Sequence, residues 1–325
     1  MPIPQFAKQQ ALVTGGAGFI GSHLVDRLLE LGAEVRVLDD LSTGRSDNLA
    51  HLGDRVELVV GDIRDLDVCR AACAGTTWVF HQAALGSVPR SLRDPATSIA
   101  VNVAGTANVL AAARDAGVRR VVYASSSSVY GDSGRLPKRE GEEGRALSPY
   151  AASKRMCEEL GRVFAASLGL ETVGLRYFNI YGPRQDPAGP YAAVIPRFFA
   201  ASLAGESAVI HGDGQQSRDF TFVADAVTTN LLAAGAPAEE VAGLAFNAAA
   251  GGRATINQLA RTIADLVGDA PPPVHTDARL GDVRHSQASL TRARAALEYE
   301  PAWDLRRGLA SCLEHYRAVR PAAAG

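Results

Sequence analysis

The run Ala11–Gly21, ALVTGGAGFIG, constrains the fold more than any other stretch, because an apolar strand followed by three spaced glycines admits few geometries. Ala11–Thr14 reads as a buried strand. Gly15 allows a tight turn, Gly18 lets the backbone approach a pyrophosphate, and Gly21 permits close helix–strand contact. Ser22–Leu31 then carries helical spacing and stops at Gly32, a residue suited to a left-handed helix terminus. The start of such a helix offers free N–H groups and partial positive charge to a phosphate, with Phe19 and Ile20 beside it.

Glycine spacing alone is equally compatible with a plain strand-to-helix turn. Its continuation is what favours a dinucleotide: Glu34–Asp39, EVRVLD, is a second apolar strand ending in an acid about 20 residues past the loop. A carboxylate at Asp39 accepts hydrogen bonds from the adenosine ribose and repels a 2′-phosphate, so NAD is expected over NADP, although Arg45 lies close in sequence.

With 325 residues the chain can bury a large core, as about two domains or as one with an elaborated lobe. Its 33 basic and 35 acidic residues leave no basic footprint, so no nucleic-acid partner is expected. No apolar run reads as membrane-spanning, and MPIPQFAKQQ lacks the plan of a signal peptide. A soluble, cytoplasmic protein without a membrane partner is the expectation. Cys69 and Cys73 stand one helical turn apart, but no His or Cys accompanies them at metal spacing. Buried filler is expected there, and no metal.

Strand-like and helix-like segments alternate onward. Val56–Val60 and Thr77–His81 are strands, with a short helix at Arg64–Ala74 between them. Asp62 and Ile63 follow the third strand at the edge where open α/β sheets bind ligands. They either flank an adenine or merely lead into a loop. Asp94-Pro95 starts a helix that can run to Gly117, and Arg119–Ala124 is a fifth strand. Repeated β-α-β units specify an α/β fold, a doubly wound parallel sheet of Rossmann type.

The fifth strand runs into Ser125–Ser128 and VYGD, by itself as compatible with a polar turn as with a site. Ser148-Pro149 opens the next helix, on which Tyr150 and Lys154 project from one face. A phenol is a poor base at neutral pH, and an ammonium one turn away together with a positive nicotinamide ring favours its ionised form. Glu171–Phe178 is a sixth strand. It leads into RYFNIYGPRQDPAGPYAAVIPRFF, whose Pro and Gly clusters send the chain into a second lobe. Arg218 in GDGQQSRDFTF can hold a phosphate by its planar fork, or simply lie beside Asp219 at the surface. Leu244–Ala248 is a strand that returns to the sheet, and Thr255–Gln258 is a capping box.

Taken together, TGGAGFIG, Asp39, SSSSVYGD and SPYAASK resemble the extended short-chain dehydrogenase/reductase superfamily, whose NAD-dependent members act on nucleotide sugars. The resemblance implies catalytic roles for Ser126, Tyr150 and Lys154. It implies cofactor contacts from Gly15, Gly18, Phe19, Ile20, Asp39, Asp62, Ile63, Ala83, Asn102, Tyr150, Lys154 and Tyr177. HQAALGSVPRS, RYFN, YAAVIP and GDVRHSQA narrow it to the UDP-N-acetylglucosamine 4-epimerase branch. Substrate contacts are then implied from Ser87, Ser127, Ser128, Asn179, Ala193, Val194, Arg218, Arg279, Asp282 and Ser286. The small Ser286 leaves room for an acetamide where hexose-only epimerases carry a bulky aromatic. Residues 1–179 with about 219–250 are expected to form the NAD-binding domain, and 180–218 with 251–325 the substrate lobe.

Gly86 stands where many UDP-galactose epimerases have a lysine, and the serine run lacks the T-D-E triplet of dehydratases. A UDP-glucuronate 4-epimerase or decarboxylase is the alternative, with Arg90 or Arg184 as the cation for a sugar carboxylate. A non-catalytic NAD sensor is the other. The resemblance also implies a homodimer through the helices starting near Asp94 and Ser148.

Overall fold

The computed structural model describes residues 5–187, 192–268, 270–278 and 284–318. Its first half alternates strand and helix: β1 (Gln10–Thr14), α1 (Phe19–Glu30), β2 (Glu34–Asp39), β3 (Val56–Val60), α2 (Leu66–Cys73), β4 (Trp78–His81), α3 (Val88–Arg93), α4 (Pro95–Ile99), α5 (Gly105–Asp115), β5 (Arg120–Ser126), α6 (Pro149–Leu168) and β6 (Glu171–Tyr177). Beyond β6 the pieces shorten: β7 (Ile180–Tyr181), α7 (Val194–Leu203), β8 (Val209–His211), β9 (Ser217–Arg218), β10 (Thr221–Phe222), α8 (Val223–Gly235), α9 (Ala238–Val241), β11 (Leu244–Ala248), β12 (Ala254–Thr255), α10 (Ile256–Val267), β13 (Val274–Thr276), α11 (Thr291–Leu297) and α12 (Leu305–Ala318).

Seven strands form one parallel sheet in the order β11-β6-β5-β4-β1-β2-β3. Chain order reverses between β1 and β4, which opens a crevice at the carboxyl ends of those strands. Apolar runs without polar alternation are what a sheet covered on both faces requires. Along β1, Ala11 and Val13 join Leu24, Val25 and Phe246 on one side, whereas Leu12 joins Cys69, Leu110 and Phe164 on the other. A third apolar cluster, including Phe198, Phe199, Ile263 and Leu309, gathers α7, α10 and α12 into the smaller, mostly C-terminal lobe. The architecture is the doubly wound Rossmann type that the β-α-β alternation predicts.

Three local features differ from the sequence reading. β5 continues two residues beyond Ala124, because Ser125 and Ser126 pair with Arg176 and Tyr177 of β6. Asp94 accepts from Thr97 N and Pro95 starts α4, but Ala100–Ala104 forms a π turn before α5. Contrary to expectation, Pro95–Asp115 is long and apolar enough to cross a membrane by length and composition alone. Its alanines and valines serve a packed interior instead: Val109, Leu110, Ala112 and Ala113 are buried in the cluster shared with α2. Cys69 and Cys73 are buried free thiols that burial pushes up to about 12.

Candidate active site

The turn from β1 into α1 depends on missing side chains. Gly15 has a φ of 69°, and a Cβ there would stand 2.6 Å from the Ala83 backbone nitrogen. A Cβ on Gly21 would stand 2.1 Å from the Gly15 carbonyl oxygen. α1 therefore seats on the turn only with hydrogen at position 21. Gly18 caps α1 without a side-chain bond, which leaves the first-turn N–H groups of this 12-residue helix to a ligand. Gly15, Gly18, Phe19 and Ile20 line a cavity of about 530 Å³.

Asp39 reaches the same cavity from the end of β2. Its Oδ2 accepts from Ala17 N at 3.0 Å and its Oδ1 from Leu41 N at 2.9 Å, and burial raises the carboxyl above its ordinary range. Those donors fix the carboxylate plane while lone pairs remain for ribose hydroxyls. Asp62 and Ile63 also line the cavity. The Arg64 guanidinium, at 2.8 and 2.5 Å, holds Asp62 below the usual carboxylate range, and Ile63 is buried. A glycine turn whose tight packing a Cβ at Gly15 or Gly21 would break, an uncapped helix start and a fixed carboxylate together fit the adenosine diphosphate part of NAD.

The other end of the cavity carries the reactive groups. Ser148 accepts from Ala151 N at 3.1 Å and Pro149 opens α6, as the sequence predicts. Tyr150 and Lys154 line the cavity from successive turns of one face, together with Ser126 and Ser127 at the end of β5. Lys154 is 3% exposed, and its Nζ donates to the Ala124 carbonyl oxygen at 2.8 Å. Ser126 Oγ accepts from Ser128 N at 3.1 Å, which starts a short 3₁₀ turn over Ser127–Tyr130. Tyr177, a second cavity phenol, donates to Gln82 Oε1 at 3.0 Å and accepts from Asn230 Nδ2 at 2.7 Å. Burial pushes it up to about 12, so it is a neutral wall residue.

Fourteen of the residues singled out from sequence thus meet in one cavity: Gly15, Gly18, Phe19, Ile20, Asp39, Asp62, Ile63, Ala83, Ser126, Ser127, Tyr150, Lys154, Tyr177 and Asn179. Asn179 has a φ of 40° and donates to the Asp219 carbonyl oxygen at 3.0 Å. The Asp219 carboxylate in turn accepts from the backbones of Ala250, Gly251 and Ala288, each at 3.1 Å. Asn102 does not line the cavity. It is buried and grips the Leu85 backbone, accepting at 2.8 Å and donating at 3.3 Å, so it holds the cavity wall from behind. Ser87 caps α3, Ala193 and Val194 begin α7, and Ser128 Oγ is buried without a partner among the described residues. Arg218 Nη1 donates to the Ser217 carbonyl oxygen at 3.0 Å, and Ser286 N donates to that same oxygen at 3.0 Å. The Ser217 carbonyl is therefore the junction at which Arg218 and Ser286 meet, and neither lines the cavity. Arg279 and Asp282 lie outside the described residues.

Gln82, Leu85 and Gln185 are among the cavity residues to which the sequence reading assigns no role. Gln82 follows β4 at the ligand edge of the sheet and bonds both Tyr177 and Asn230. The rule that singled out Asp62 after β3 applies equally there. Leu85 is an apolar loop residue within HQAALGSVPRS, a motif that carries the resemblance without giving this position a role. Gln185 lines the cavity and its Oε1 is buried without a partner among the described residues, an acceptor awaiting a donor.

Fold and site together define an NAD-dependent enzyme of the extended short-chain dehydrogenase/reductase type. The profile of the NAD dependent epimerase/dehydratase family matches residues 11–249, and the chain belongs to that family. It is 43% identical over 312 residues to a UDP-glucose 4-epimerase of Mycolicibacterium smegmatis, covering 95% of this chain and 98% of the relative. Among solved structures it is similar to a UDP-glucose 4-epimerase of Thermotoga maritima with UDP-glucose, at 37% identity, a TM-score of 0.90 and coverage of 95% and 99%. A UDP-N-acetylglucosamine 4-epimerase of Methanobrevibacter ruminantium, in complex with UDP-N-acetylmuramic acid, gives 37% identity, a TM-score of 0.90 and coverage of 96% and 99%.

Proposed function

We propose that the protein is a 4-epimerase of UDP-sugars that interconverts UDP-GlcNAc and UDP-GalNAc, and also UDP-Glc and UDP-Gal, through a 4-keto sugar. The observation that carries this reading is the meeting of Ser126, Tyr150 and Lys154 in one cavity with the glycine turn and Asp39. NAD, held by the glycine turn at Gly15 and Gly18 and by Asp39, would supply the hydride acceptor for carbon 4 and the donor to the opposite face. Tyr150 takes the proton from the 4-hydroxyl and gives it back, a transfer that positioned side chains accelerate by about 10²–10⁴-fold. Ser126 orients that hydroxyl, and Lys154, fastened to Ala124, places its charge on the Tyr150 face of α6.

The diphosphate remains anchored while the keto sugar turns over. Asn179 lines the cavity, and Arg218, Arg279, Asp282, Ala193 and Val194 are the further candidates for holding UDP, with Ser87, Ser127 and Ser128 toward the sugar. Binding energy at these remote groups lets one site hold two sugar orientations. Ser286 is small enough to leave space for an acetamide. Of the two candidate cations for a glucuronate carboxylate, neither Arg90 nor Arg184 lines the cavity that holds Tyr150, and Arg184 is ion-paired with Asp26 at 2.7 Å. The similar UDP-glucose and UDP-N-acetylglucosamine epimerases support the sugar class. We also propose a homodimer through the helices that start at Asp94 and Ser148, α4 and α6; Met156 and Val163 of α6 are 48% and 39% exposed.

Parallel incubations with UDP-GlcNAc, UDP-Glc and UDP-GlcA, followed by product chromatography, test the reading. UDP-GalNAc from the first supports it, and absence of a 4-epimer from all three overturns it.

A further inference from the structure

We propose that Glu158, which does not line the cavity, is a positioning residue that sets Ser126 and Tyr150 in register by gripping Ser125 and Arg176. The inference rests on the epimerase reading above.

Glu158 follows Lys154 by one turn of α6 and Tyr150 by two, on the same face. Lys154 Nζ holds the Ala124 carbonyl at 2.8 Å, and Ser125 Oγ donates to Glu158 Oε1 at 2.5 Å. Two consecutive residues of β5 are thereby fastened to two residues one turn apart in α6, immediately before Ser126. The carboxylate also receives a fork: Arg176 Nε donates to Oε1 at 2.9 Å and Nη2 to Oε2 at 2.8 Å. Such a fork fixes angle as well as distance.

Arg176 directly precedes the cavity residue Tyr177 in β6. It is 6% exposed, donates to Tyr130 Oη at 3.0 Å and pairs with Glu143. Tyr130 in turn donates to Asn247 Oδ1 at 2.6 Å. One half-buried carboxylate therefore joins the three elements that present Ser126, Tyr150 with Lys154, and Tyr177. Misplacing reacting groups by about 1 Å costs about 100-fold in rate, so a joint at this point governs turnover more than binding.

The test measures kcat and KM of the NAD-loaded protein with the UDP-sugar it turns over. Glu158→Ala is expected to lower kcat by about 10- to 100-fold with KM little changed, and Glu158→Gln, which keeps an acceptor for Ser125, to recover part of the loss. Ser125→Ala leaves the ion pair intact and so guards against a misfolded Glu158 variant. It should lower kcat less, and the double variant Ser125→Ala with Glu158→Ala should fall no further than Glu158→Ala alone. Wild-type kcat in folded Glu158→Gln and Ser125→Ala, a rise in KM that accounts for the loss, or additive effects would overturn the proposal. If the wild type epimerises no UDP-sugar, the functional reading fails separately. Positioning is then read from ultraviolet difference titration of the Tyr150 phenolate, each protein against its Tyr150→Phe counterpart: a displaced midpoint in Glu158→Gln supports it and coincident midpoints overturn it.

Discussion

The Lys154 ammonium lies 2.8 Å from the Ala124 carbonyl oxygen, so the lysine is tied to the strand end that presents Ser126. This bond places a fixed positive charge on the helix face that carries Tyr150. Replacing Tyr150 by Phe removes the proton carrier and leaves the wall intact. We expect kcat to fall by about 10²–10⁴-fold while UDP-sugar affinity, measured by calorimetry, stays within about twofold. Near-normal turnover would take Tyr150 out of the base role.

Gly21→Ala should disrupt the seat of α1, because the new methyl would stand 2.1 Å from the Gly15 carbonyl oxygen. That obstacle is backbone, so the turn itself must move. A lower melting temperature together with loss of bound NAD, read from absorbance of the purified protein, is the expected outcome. Normal NAD content in a folded variant would show that the turn does not govern cofactor binding.

The sheet was legible because its seven strands are short apolar runs at the ends of recognisable turns. Glu34–Asp39, Val56–Val60 and Leu244–Ala248 begin and end as the sequence reading places them. β5 reads two residues short from sequence because serine has no strong strand preference, whereas pairing with β6 carries Ser125 and Ser126 into the sheet. The site was legible wherever a motif has one mechanical purpose, as at Gly15, Asp39, Tyr150 and Lys154. The Glu158–Arg176 joint was not, since 18 positions of sequence separate its partners and only tertiary folding brings them together. Resemblance makes Asn102 a cofactor contact, yet its amide is spent on the Leu85 backbone and Ser153, which position in sequence does not disclose.

Stability should respond to pH through Asp219. Burial pushes this carboxyl from 3.8 up to about 7, against three backbone donors. A raised folded pKa favours the protonated acid, so its contribution is fully present below about pH 4 and is lost as pH rises through about 7. Asp219→Asn cannot titrate. Melting temperatures taken across this window should therefore show the wild type losing ground to the variant as pH rises, whatever their offset. Parallel curves would contradict the assignment.

Substrate breadth is expected to depend on Ser286, whose backbone N–H is fixed by the Ser217 carbonyl at 3.0 Å. Ser286→Tyr places a bulky ring where the acetamide is proposed to lie. The ratio of kcat/KM for UDP-GlcNAc over UDP-Glc should fall by at least about tenfold, since filling a pocket is worth roughly 1–3 kcal/mol in discrimination. An unchanged ratio would place the acetamide elsewhere.

The most direct test of the central claim is incubation with UDP-GlcNAc carrying deuterium at carbon 4, followed by mass spectrometry and NMR of the product. Hydride removal and return within one cavity predicts UDP-GalNAc that keeps the deuterium at carbon 4. UDP-GalNAc with that deuterium replaced by solvent hydrogen, or no UDP-GalNAc at all, would contradict it.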